Sequence, residues 1–189
     1  MGKITFILGG ARSGKSHYAQ QLASQRGKNV LFIATAQAFD AEMQQRIMAH
    51  QQERPQHWRT LEVPLNVSQA LAHHRYPAEI ILLDCLTLLV SNILLASGTE
   101  ENVDEQRVTE AVDREVNELL DWVATHSADW IIVSNEVGLG LVPPYPLGRV
   151  YRDVLGRANQ KIAAKAEEVF FMVAGLPLPI HALQGPMGK

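Results

Sequence analysis

Four short runs of uninterrupted apolar residues punctuate the chain, at positions 4–8, 30–35, 80–84 and 130–134, and a fifth lies at 169–174. None alternates with polar residues, which is the pattern of strands covered on both faces within a parallel sheet. Between them the spacing turns helical. Residues 16–26 and 40–53 follow the first two runs, and 149–167 follows the turn-rich segment Pro143-Pro144-Tyr145-Pro146-Leu147-Gly148. In 103–123, Val108, Val112, Val116, Leu119, Leu120 and Val123 fall on one face at three- and four-residue intervals, the stripe of a packed helix. The stretch 80–96 is the greasiest in the chain but is broken by Asp84, Thr87, Ser91 and Asn92. It reads as a strand followed by a buried helix, since a membrane span wants about 20 predominantly apolar residues and tolerates an acid poorly.

Strands alternating with helices predict an α/β fold: a three-layer sandwich with a mainly parallel central sheet. No internal repeat or composition break divides it, so residues 1–175 are expected to form one catalytic-sized domain. Residues 176–189, rich in proline and glycine, are expected to be a C-terminal tail.

Composition narrows the partners. The chain has 189 residues and a formal net charge of −3, which gives no electrostatic case for nucleic acid or an anionic membrane. Its one cysteine, Cys85, excludes an internal disulfide and a cysteine zinc site. Residues 4–8 are too short for a secretory signal and run straight into Gly9-Gly10-Ala11-Arg12, so a cytoplasmic protein is expected.

That interruption carries the chemistry. Gly9-Gly10-Ala11-Arg12-Ser13-Gly14-Lys15-Ser16 fits G-x-x-x-x-G-K-[ST] in full, between an expected strand and an expected helix. Glycines let the backbone curl so that its N–H groups converge on phosphate oxygens, and the helix start adds a positive dipole end. Lys15 supplies a mobile cation for the terminal phosphates, and the Ser16 hydroxyl can ligate Mg²⁺. The segment predicts a nucleoside triphosphate site in a P-loop NTPase-like fold. The run Ile80-Ile81-Leu82-Leu83-Asp84 ends on an acid at the sheet edge where such folds hold their ligands, so Asp84 is the second candidate for the metal. Glu136, just after the fourth strand, is a reserve candidate, evenly balanced against plain loop structure. No Asn-Lys-x-Asp segment is present, which argues against a signalling GTPase.

Beyond the second strand, His50 extends the stripe begun by Met43 and Ile47, with Arg46 and Arg54 four residues away on either side. An imidazole between two guanidiniums stays neutral and is well placed to meet a phosphate. On the residues alone a packed or surface histidine is the commoner outcome. His73-His74 reads as a solvated helix end, Trp58, Trp122 and Trp130 as packing anchors, and Cys85 as inert packing.

Taken together, the phosphate loop, Ile33-Ala34-Thr35, the string Glu42-Met43…Arg46-Ile47…His50…Arg54-Pro55…His57-Trp58-Arg59-Thr60…Glu62, the segment Ser134-Asn135-Glu136-Val137-Gly138-Leu139-Gly140 and Arg152-Asp153-Val154-Leu155-Gly156-Arg157-Ala158-Asn159-Gln160 resemble one family. It is the bifunctional adenosylcobinamide kinase / adenosylcobinamide-phosphate guanylyltransferase of cobalamin biosynthesis. The resemblance implies that ATP or GTP phosphorylates the aminopropanol hydroxyl of adenosylcobinamide. A histidine, His50 by motif position, would then take GMP from GTP and pass it on to give adenosylcobinamide-GDP. Some members carry two adjacent histidines there, where this chain has Ala49-His50. The resemblance also implies that Ala34, Thr35, Gln51, Gln52, Glu53, Arg54, Glu62 and Asp84 contact the guanine nucleotide, and that the assembly is a trimer. A carboxylate such as Glu62 can accept from guanine N1–H and N2–H₂ together. A monofunctional phosphate-loop kinase and a GTP-binding switch acting through a protein partner remain the alternatives.

Overall fold

The computed structural model describes residues 1–37, 41–52, 54–74, 76–98 and 103–183, and only the backbone of residues 42, 43, 46, 49, 50 and 183. Seven strands form one sheet: β1 (Ile4–Gly9), β2 (Val30–Ala34), β3 (Arg59–Glu62), β4 (Ile80–Asp84), β5 (Asp129–Val133), β6 (Glu168–Val173) and β7 (Leu176–Pro179). Their order is β3-β2-β4-β5-β1-β6-β7. Every pairing is parallel except that of β6 with β7.

The continuous apolar runs divide cleanly between the two faces. Phe6, Leu31, Ile33, Ile81, Leu83, Trp130 and Ile132 point into the larger core, while Ile7, Val30, Phe32, Leu82, Ile131 and Val133 point into the other. This is the two-residue period of a strand with both sides covered. Helix α1 (Lys15–Arg26) packs over β1, β4 and β5 on the smaller core. The larger core is closed by α3 (Val67–His73), α4 (Leu86–Ser97), α5 (Glu105–Thr125) and α6 (Pro146–Ala163). Helix α2 (Ala41–Gln52) lies between β2 and β3 in sequence.

Local chemistry fixes the helix ends. Asp104 caps α5 by accepting from the Arg107 N–H at 3.0 Å, and Pro146 sits in the first turn of α6, where a missing N–H costs nothing. The start of α3 is capped from outside: Glu115 on α5 accepts from the N–H groups of Asn66 and Val67 at 3.1 and 2.7 Å. Burial raises the Glu115 carboxyl pKa, against the pull of these two bonds. The nearly all-apolar α4 is sandwiched, with Leu86, Leu89, Val90, Ile93 and Leu94 all buried, so polar spacing had no reason to show. Among the described residues no helix is long and apolar enough to cross a membrane.

Two strands depart from the sequence reading. Arg-Thr-Leu-Glu at β3 is almost wholly exposed, because it is an edge strand and needs no apolar run. The expectation of a tail from residue 176 gives way for residues 176–183: β7 closes a hairpin on β6, and α7 (Ile180–Leu183) follows. Its prolines, Pro177 and Pro179, are tolerated because β7 is the last strand, with one side free of ladder bonds. Residues 184–189 lie outside the described residues.

Candidate nucleotide site

The site starts where β1 stops. From Gly9 the chain curls back on itself: Arg12 and Gly14 take left-handed φ values of 56° and 94°, and the Ser13 N–H donates to the Gly10 carbonyl at 3.3 Å. Gly14 tolerates that backbone because it has no Cβ, which would stand only 3.2 Å from the Gly175 Cα. Gly175, at φ 83° in the β6–β7 turn, donates its N–H to the Ser13 carbonyl at 3.0 Å. The hairpin therefore braces the phosphate loop from behind. Helix α1 begins at Lys15, whose ammonium turns back to donate to the Gly10 carbonyl at 2.6 Å. Burial lowers the Lys15 pKa, and the neighbouring Cys85 and Asp84 oppose that fall.

Parallel register carries the other walls to the same edge. Asp84 ends β4 opposite Ala34 of β2, and Ala34 pairs in turn with Glu62 at the end of β3. Gln51 on α2 donates from Nε2 to Glu62 Oε1 at 3.2 Å. Arg54 lies over the Phe32 ring, its guanidinium carbon 3.7 Å from the centroid, with its Nε buried and without a hydrogen-bond partner among the described residues. Burial lowers the Arg54 pKa, while Asp84 and Glu62 pull it back up.

These groups enclose a cavity of about 670 Å³, ordinary for a small-molecule site. Of the residues singled out from sequence, Ala11, Arg12, Lys15, Ser16, Ala34, Gln51, Arg54, Glu62 and Asp84 line it. Helix α2 contributes Gln44, Ile47, Met48 and Gln51, a three- and four-residue repeat that marks one helical face. His50 is in the backbone of that helix, but its side chain lies outside the described residues, as does Glu53 entirely. Gln52 and His57 are exposed and do not line the cavity. Thr35 is fully buried, and its hydroxyl both donates to the Cys85 carbonyl and accepts from the Cys85 N–H. It joins β2 to the end of β4.

The reserve acid Glu136 turns away, accepting from its own loop at the Gly138 N–H (2.5 Å), and its neighbour Asn135 lines the cavity instead. Phe32 and Thr87 also line the cavity; an apolar strand residue and a helix threonine carry no signal in the sequence that would single them out. Cys85 borders it as well, but burial pushes its thiol up to about 12, so it is a poor nucleophile at neutral pH.

Comparison with known proteins agrees over most of the chain. Residues 5–180 match the family model CobU, described as cobinamide kinase / cobinamide phosphate guanyltransferase. The bifunctional adenosylcobalamin biosynthesis protein CobP of Pseudomonas aeruginosa is 47% identical over 174 residues, covering 92% of this chain and 95% of that protein. The proteins of that description named CobU from Escherichia coli and Salmonella typhimurium are 40% and 41% identical over 180 residues, each covering 94% of this chain and 99% of the relative. Among solved structures, the RadB recombinase aligns at a TM-score of 0.47 and 13% identity, over 89% of this chain and 73% of that one, a likeness too loose to say anything of the site. With a family model spanning nearly its whole length and relatives aligned almost end to end, the chain belongs to the cobinamide kinase / cobinamide phosphate guanyltransferase family.

Proposed function

We propose that this one cavity serves both reactions of the family, with adenosylcobinamide as the acceptor. In the first, the corrinoid side-chain hydroxyl oxygen bonds to the terminal phosphorus of ATP or GTP. The bond from that phosphorus to the bridging oxygen breaks, the nucleoside diphosphate leaves, and the hydroxyl proton passes to water. In the second, a ring nitrogen of His50 bonds to the α-phosphorus of GTP and pyrophosphate leaves. The phosphate oxygen of the product of the first reaction then displaces the histidine, giving adenosylcobinamide-GDP.

The observation that carries this reading is that the phosphate loop and the polar residues of α2 and β3 line one cavity. Arg12, Lys15 and Ser16 stand on one side, and Gln51, Arg54 and Glu62 on the other. Phosphoryl and nucleotidyl transfer need positioning and neutralised charge more than covalent help from the protein. Lys15 leaves the Gly10 carbonyl for the terminal phosphates, and Arg54 balances charge nearer the base. Glu62 holds a hydrogen-bonding edge, with Gln51 fixing one of its oxygens. A neutral imidazole, with an ordinary pKa near 6.5, is a competent nucleophile, and α2 brings its Gln44–Gln51 face to the cavity.

Mg²⁺ fits the oxygen donors present. Ser16 and Asp84 line the same cavity, and among the described residues no group of three or more His, Cys, Asp or Glu forms a metal cage. Magnesium prefers such a sparse set, keeping waters and binding mainly through substrate phosphates. Bound there, it would neutralise charge building on the triphosphate; Ser16 and Asp84 are the residues that would hold it.

Incubation with α-labelled and γ-labelled GTP tests the reading. With α-label the expected product is one GMP per chain in an acid-labile, alkali-stable phosphoramidate, lost in His50→Ala and His50→Asn. With γ-label it is phosphorylated adenosylcobinamide. α-Label mapped to His57, or retained after His50→Ala, overturns the nucleophile; no label on any histidine leaves a plain kinase.

A further inference from the structure

A small polar network is buried directly beneath the cavity wall. Ser134, Thr87 and Asn159 are 0%, 5% and 6% exposed. The Ser134 hydroxyl donates to Asn159 Oδ1 at 2.7 Å and lies 3.4 Å from the Thr87 hydroxyl. Buried polar groups are costly unless fully satisfied, and a satisfied network rigidifies what it holds.

What this one holds is Asn135. Thr87 accepts from the Asn135 N–H at 2.7 Å, and the Asn159 amide donates to the Asn135 carbonyl at 3.1 Å. On either side the chain is stitched to β1: the Ser134 N–H donates to the Ile7 carbonyl at 2.9 Å and the Glu136 N–H to the Gly9 carbonyl at 3.1 Å. Both backbone groups of Asn135 are therefore occupied, and what it can still offer the cavity it lines is its carboxamide. Sheet order sets where that offer is made. Strand β5 lies between β4 and β1, and Val133 pairs with Asp84 on one side and Ile7 on the other. Two residues on, Asn135 stands between the acid that ends β4 and the phosphate loop that ends β1.

We propose that Asn135 is a further catalytic residue, whose carboxamide N–H donates to an oxygen of the terminal phosphate of the bound triphosphate, with Thr87 and Asn159 as the positioning residues that fix it. The identity of the nucleotide rests on the proposed function, but the phosphate contact does not need the corrinoid. A neutral donor suits this place. It adds hydrogen bonding to a phosphate already facing Lys15 without drawing Asp84 into an ion pair, and a donor carried on a backbone fixed at both its N–H and its carbonyl needs less reorganisation as charge builds.

Equilibrium binding of the α,β-methylene analogues of GTP and GDP, which cannot pass GMP to histidine, tests the contact on the intact chain. The wild-type protein should prefer the triphosphate. Asn135→Ala should lose about tenfold or more of that preference, with diphosphate affinity and thermal midpoint held near wild type. Asn135→Asp, nearly isosteric but without the donor and adding negative charge, should do no better than Ala. Recovery in Asn135→Asp, equal loss of both analogues, or an unchanged preference overturns the proposal. Asn159→Leu, which frees the Asn135 carbonyl while leaving its carboxamide present, should lower the triphosphate preference to a lesser degree; no change there removes the positioning role. Absence of γ-label transfer to adenosylcobinamide by a wild-type protein that keeps the triphosphate preference would refute the assigned acceptor and leave Asn135 standing.

Discussion

The stacking of Arg54 on Phe32 gives a measurable coupling between the nucleotide wall and the core. The guanidinium carbon lies 3.7 Å from the ring centroid, well inside the roughly 6 Å within which a cation feels the ring quadrupole. Phe32 is 2% exposed and Arg54 is half-buried at the cavity wall, so the pair is partly shielded from water. Partial shielding places the attraction in the middle of its range, about 1 kcal/mol. Arg54→Lys keeps the charge beside Asp84 and Glu62 but loses the planar stack. Phe32→Leu keeps an apolar filling and loses the π face, at a packing cost of about 1 kcal/mol. In a double-mutant cycle those separate costs cancel. The double variant should be less destabilised than the sum of the singles by about 1 kcal/mol, measured by urea unfolding of nucleotide-free protein. For a chain of this size that corresponds to about 2–4 °C in melting temperature. A coupling below about 0.3 kcal/mol, the range of unconnected sites, would show that the ring is only a spacer.

The remaining predictions concern the phosphate side. Asp84→Asn should raise the magnesium concentration needed for half-maximal turnover in both reactions; an unchanged magnesium profile would remove Asp84 from the metal site. Lys15→Ala should lower kinase turnover by at least about a hundredfold, and near-normal turnover in a folded variant would contradict its role. Lys15 also sets a pH dependence: burial lowers its pKa in the free protein, and a triphosphate stabilises the charged ammonium. Binding should therefore take up a proton on the alkaline side, and affinity should fall as pH rises through the lowered pKa. Calorimetry in alkaline buffers of different ionisation enthalpy reads that proton directly; no uptake in wild type, or equal uptake in Lys15→Ala, would contradict it.

The sequence exposes some layers of this molecule and hides others, for physical reasons. The five central strands announce themselves because both of their faces are buried. The phosphate loop is visible because its glycines and Lys15-Ser16 are dictated by the ligand rather than by packing. Strand β3 is hidden because its residues are exposed, and β7 because prolines at an edge look like a tail. The Thr35 hydroxyl bonds both backbone groups of Cys85 at the end of β4. Only the position of the neighbouring strand reveals that. Asn135 has no chemistry legible from its sequence neighbours. Its importance comes from Thr87 and Asn159, far away in sequence and brought together by α4 and α6.

The brace between the β6–β7 turn and the phosphate loop has a consequence for biosynthesis. The loop leaves the ribosome long before Gly175, which holds the Ser13 carbonyl. The nascent chain can therefore carry a complete phosphate-loop sequence without a complete phosphate-binding surface. Its cradle is finished only when β7 has paired with β6 and set the turn. A chain clipped just after Gly175 should therefore carry a binding lesion remote in sequence from the loop it weakens.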